Sequence, residues 1–86
     1  MNNNLTFVEK NMIQKMLIDR KEDKLDSEFE ARIDKIIGLF KEGKSKDISY
    51  HQRMIIIYEI ELKLETELEK ILKNKFIKIK NKLESI

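Results

Sequence analysis

Along most of this chain apolar residues recur at steps of three and four, the spacing that places them on one face of a helix. The longest such run ends the chain. Leu64, Leu68, Ile71, Leu72, Phe76, Ile79, Leu83 and Ile86 keep one phase, and neither glycine nor proline interrupts them from Tyr50 onward. The pattern predicts a single helix over about 50–85, roughly 55 Å long at about 1.5 Å per residue. Its first half differs from its second. Between Met54 and Leu64 apolar side chains lie nearly all round, with Ile55, Ile56 and Leu62 off the main stripe, as in a segment covered by more than one neighbour. A strand competes here, because Ile56, Tyr58, Ile60, Leu62 and Leu64 alternate with Ile57, Glu59, Glu61 and Lys63. No second segment offers it a pairing partner, and the helical phase runs on past it. The helix is preferred.

Two shorter helices precede this rod. Thr6 followed by Glu9 forms a capping-box pattern, opening a helix over about 7–21 with Val8, Met12, Ile13, Met16 and Leu17 on its apolar side. After the polar run Arg20 to Lys24 the phase changes. The stripe of Ile18, Leu25, Phe29, Ile33, Ile36 and Phe40 is rotated by roughly 130° from the first, at about 100° per residue. One straight helix cannot bury both against the same neighbour, so a break near Asp23–Asp26 is expected, with Asp26 or Ser27 capping a second helix over about 27–42. The competing view is one helix from Thr6 to Glu42, since the linker holds no strong breaker. Gly43 suits the left-handed residue past a helix end, and Gly38 suggests close approach of a neighbouring helix. A short polar loop over 44–48 then implies antiparallel neighbours, and Ser49 with Gln52 repeats the capping box.

The expected fold is therefore all-α: two short helices packed on the front half of a long C-terminal helix, assembled as a helical dimer. Residues 1–86 form one domain, and 66–86 protrude as an amphipathic arm. Met54, Ile57, Ile60 and Leu64 should be buried against Ile36, Phe40, Met12 and Met16. Composition supports order at small size. Hydrophobic residues are 41% and charged residues 40%, yet the net charge is only +2, which favours ordered helices over disorder. With no cysteine, disulfides and thiolate metal sites are excluded, leaving oligomerisation as the usual device for steadying so small a chain. Met1 to Asn4 carry no basic start of a secretory signal, and the longest apolar run, Met54 to Tyr58, is far short of the ~20 residues of a membrane span. A soluble, cytoplasmic protein is expected.

Candidate chemistry is thin. Serine occurs at positions 27, 45, 49 and 85, and His51 is the single histidine, near a helix start where it reads as a surface residue. Two glycines five residues apart cannot form a phosphate-binding loop, and the helical Glu61, Glu65 and Glu69 lack a Glu-x-x-His companion. No enzyme, cofactor or metal site is expected. What remains is the apolar stripe of the arm and its charges. Glu59, Glu61, Glu65, Glu67 and Glu69 precede Lys70, Lys73, Lys75, Lys78, Lys80 and Lys82, an order that the helix dipole alone would also favour.

Charges flanking an apolar seam select partner and orientation. An antiparallel homodimer through Leu64, Glu65, Leu68, Ile71, Leu72, Lys75, Phe76, Ile79 and Leu83 would bring Glu65 near Lys75 of the other copy, whereas a parallel pair would stack like charges. The function this implies is a non-enzymatic protein-interaction module, a small regulator or inhibitor that occupies a partner's surface. The alternative is nucleic-acid binding by Lys70–Lys82, although those lysines fall on both flanks of the stripe instead of forming one basic face. A third reading, an interfacial membrane helix over 71–80, lacks tryptophan and a lipidation signal.

Overall fold

A computed structural model describes residues 5–85. The expectations for Met1 to Asn4 and for Ile86 on the apolar seam lie outside the described residues. Helix starts are set by local hydrogen bonds. Thr6 Oγ1 accepts from the Glu9 amide at 3.1 Å, and Glu9 Oε1 accepts from the Thr6 amide at 2.9 Å, opening α1 (Phe7–Arg20). Asp26 caps α2 (Ser27–Lys41) by accepting from the Phe29 amide. The chain thus breaks between Arg20 and Ser27, and a single helix from Thr6 to Glu42 is set aside. At the end of α2 Gly43 takes φ 72°. The Lys44 amide donates to Leu39 O and the Gly43 amide to Phe40 O, the paired bonds of a Schellman motif. After one 3-10 turn over Ser45–Asp47, Ser49 and Gln52 form the second capping box and α3 (Tyr50–Thr66) begins.

The long C-terminal helix is not present. α3 ends at Thr66, Glu67 and Glu69 take extended backbone conformations, and α4 (Lys70–Glu84) turns back along α3. The reversal has a clear physical cause. It gives up about four helical hydrogen bonds, each worth about 1 kcal/mol net. In return it places Phe76, Ile79 and Leu83 in the core at 4%, 0% and 0% exposure. Full burial of three such side chains is worth about 5–9 kcal/mol, so burial wins. α4 therefore packs back on its own chain, with Phe76, Ile79 and Leu83 of the stripe used in the core.

Two helical hairpins result, α1–α2 and α3–α4, and contact between α1 and α3 joins them. The described residues form no strand. Every helix contributes to the fully buried set, Ile13 and Leu17 from α1, Ile33 and Ile36 from α2, Ile56 and Ile60 from α3, Ile79 and Leu83 from α4. Ile57, Phe40 and Met16 are buried as expected, but Met54 is exposed, Leu64 and Met12 are only partly buried, and Val8 faces outward. Gly38 has nothing within 4 Å of where a Cβ would stand, so it makes no close helix approach. No described helix is long and apolar enough to cross a membrane.

Ion pairs fasten the hairpins. Arg20 Nε donates to Glu59 Oε1 at 2.9 Å, tying α1 to α3, while its Nη1 reaches Asp23 at 3.0 Å. Lys82 Nζ donates to Glu9 Oε1 at 2.7 Å, tying the end of α4 to the start of α1. Lys80 bridges to Glu61 across the α3–α4 hairpin, and Lys21 to Asp34 across α1–α2.

Candidate interaction surface

With its neighbours packed on the remaining sides, α3 shows one face to solvent. That face carries Tyr50, Met54, Tyr58, Glu61 and Glu65, all exposed. At about 100° per residue the five lie within an arc of roughly 80°. Isolated exposed apolar residues are ordinary on any surface. Here two tyrosines and a methionine, 61%, 52% and 43% exposed, align at four-residue steps into a continuous stripe. The first half of the stripe lies among cations. Arg53 stacks over the Tyr50 ring with its guanidinium carbon 5.2 Å from the centroid, and His51 meets the same ring edge-on at 5.8 Å. From α2, Arg32 and Lys35 line a shallow groove with His51, Gln52, Met54, Ile55 and Tyr58. Arg32 pairs with Glu28 at the surface. The second half is acidic, with Glu61 and Glu65 on the stripe and Glu67 and Glu69 in the corner beyond it. Neither Lys35 nor Glu65 has a charged partner among the described residues.

On another side of α3 a buried carboxylate is held differently. Glu59 is 2% exposed, and its Oε2 has no hydrogen-bond partner among the described residues. Burial pushes its carboxyl above the usual carboxylate range, with the Arg20 guanidinium partly opposing that push. Glu9 ends on the opposite side. Burial disfavours its charged form, but hydrogen bonds from Lys82 and the Thr6 amide outweigh this and hold the carboxyl below its ordinary value. Arg20, between Glu59 and Asp23, is also desolvated, yet those two acids raise its pKa above the normal guanidinium value. These groups secure helices to one another. Among the described residues no group of three or more His, Cys, Asp or Glu side chains could hold a metal ion.

The residues expected on a dimer seam are dispersed. Phe76, Ile79 and Leu83 are interior, and Leu64 and Leu72 are partly buried against the same core. Leu68 and Ile71 stand out at the α3–α4 corner, 92% and 64% exposed, while Glu65 and Lys75 face solvent on different helices. Of the Lys70–Lys82 segment, Lys80 and Lys82 are drawn into ion pairs with Glu61, Glu84 and Glu9, which splits the basic run. Comparison of the chain with protein-family models, with curated proteins and with solved structures finds no match to any of them.

Sequence reasoning missed Tyr50, Met54, Tyr58, Arg32, Lys35 and Arg53 as a group. The apolar residues that surround α3 over this stretch point Met54 to the core, whereas the packed helices leave it exposed. The available signal was the spacing of Tyr50, Met54 and Tyr58 beside Arg53, a cluster of the residue types enriched at protein interfaces.

Proposed function

We propose that this protein is a non-enzymatic interaction module that binds a protein partner through the exposed face of α3, acting as a small regulator by occupying that partner's surface. The observation that carries this reading is the Tyr50–Met54–Tyr58 stripe bordered by Arg32, Lys35 and Arg53. Tyr, Met and Arg are enriched at protein interfaces, Tyr and Arg also at their energetic centres, and rigid aromatic side chains lose little conformational entropy on binding. The seam through Leu64–Leu83 is a weaker basis for association, because Phe76, Ile79 and Leu83 already serve the chain's own core. Nucleic-acid binding by Lys70–Lys82 is disfavoured by the ion pairs that occupy Lys80 and Lys82.

The test is site-specific photo-crosslinking from position 58 in host cells. A protein crosslink that appears at 58, is abolished by Met54→Glu and is absent from a control probe at Lys15 on α1 is the expected result. Equal crosslinking from both positions, or none from 58, would refute the assignment of function to this face.

A further inference from the structure

The exposed stripe of α3 is not uniform along its length. Its first half is aromatic and flanked by Lys35 and Arg53, while its second half is acidic, ending in Glu65. A surface with opposite character at its two ends is complementary to itself when turned end for end. From this self-complementarity we infer that a second copy of this chain docks on the stripe, with the two α3 helices antiparallel about a two-fold axis between Tyr58 and Glu61. This rests on the α3 face being the binding surface proposed above, and it names the occupant.

The geometry follows from helix arithmetic. Tyr50 to Glu65 spans about 22 Å at ~1.5 Å per residue, long enough for several turns to meet. With the crossing between Tyr58 and Glu61, each Glu65 lies opposite Met54 of the other copy, and each Tyr58 opposite Glu61. A two-fold axis perpendicular to both helices puts the two α2 helices on the same side of the pair. Lys35, which borders the groove beside Met54 and Tyr58, then meets the other copy's Glu65, and symmetry makes the contact twice. Neither side chain has a charged partner among the described residues, so pairing them breaks no ion pair described there. A parallel pair would instead set Glu61 against Glu61 and Glu65 against Glu65. An unrelated acidic peptide could satisfy Lys35, but it would leave Glu65 without a cation, since Lys80 already serves Glu61.

Sedimentation equilibrium on the full chain decides the matter, with circular dichroism to confirm that each variant is folded. Lys35 and Glu65 are exposed, so reversing either leaves the core untouched. The parent should be dimeric at about 100 μM, and Glu65→Lys or Lys35→Glu should each weaken the dimer about tenfold or more. The combined Lys35→Glu, Glu65→Lys variant should recover to within about threefold of the parent. A double reversal no tighter than the single ones would overturn the pairing, as would a dimer that both single changes leave intact. A parent that stays monomeric, yet crosslinks another protein from position 58, would overturn the two-fold pair and leave the interaction reading standing. A monomer with no such crosslink would remove both.

Discussion

Replacing Ile79 by alanine probes the chain reversal directly. Ile79 is completely buried between α4 and the rest of the core, so the truncation removes methyl groups from a site with no solvent to fill the gap. Large-to-small changes of this kind cost about 2–5 kcal/mol. A domain of this size has a total stability of roughly 4–13 kcal/mol at 0.05–0.15 kcal/mol per residue. Taking about 3 kcal/mol and a urea slope of about 1.5 kcal/mol per molar, the unfolding midpoint should fall by roughly 2 M. The assay is urea denaturation followed by circular dichroism at low protein concentration. Leu68→Ala is the control: in a straight helix Leu68 would share the seam with Ile79, but at the corner it is almost wholly exposed. Its removal should change stability by no more than about 0.5 kcal/mol. Should Ile79→Ala prove too unstable to measure, Ile79→Val, costing about 1 kcal/mol, gives the same ordering. An Ile79→Ala protein with the parental midpoint, or one less damaged than Leu68→Ala, would refute the burial of α4 in its own chain.

Two further outcomes follow from polar groups. Glu59 has a raised folded-state pKa, so its contribution to stability is fully present below the unfolded carboxylate pKa and is lost as pH rises through the folded value. Glu59→Gln should therefore improve relative to the parent as pH rises above the ordinary carboxylate range, measured as urea midpoints across a pH series; a difference that does not vary with pH would contradict this. Glu69 is the N-cap residue of α4 and makes no side-chain capping bond, so Glu69→Ser should stabilise by about 0.5–1 kcal/mol, read as a rise in Tm of several degrees.

The parts of the fold that could be read from the sequence are those written in adjacent residues. Thr6 with Glu9, Ser49 with Gln52, and Gly43 each act within one turn, so their signals survive without knowledge of the rest of the chain. The break after Arg20 was visible because the apolar phase shifts there. No such shift marks the end of α3. Leu64, Leu68 and Leu72 remain four residues apart whether or not a helix connects them, and no residue from Thr66 to Glu69 is a strong breaker. The deciding energy comes from Phe76, Ile79 and Leu83 reaching a core built by other segments, which is a non-local effect. A rod too long for its two companions has two remedies, a second chain or a reversal of direction, and periodicity is the same in both. The α3 face was hidden for a related reason. Tyr58 and Met54 are exposed because of where α2 and α4 come to lie, and that is settled only when both hairpins have packed.

The Glu9–Lys82 bond joins residues 73 positions apart and bears on the order of events in folding. Each hairpin closes a short connection and needs only its own residues, so α1–α2 and α3–α4 can form while the remainder is still searching. Bringing Lys82 to Glu9 requires closing nearly the whole chain, at an entropy cost that grows with the logarithm of loop length. On that cost the contact is expected to form late and to weigh little on the folding rate. It acts instead on the return path, as a latch whose loss lets the native state open sooner.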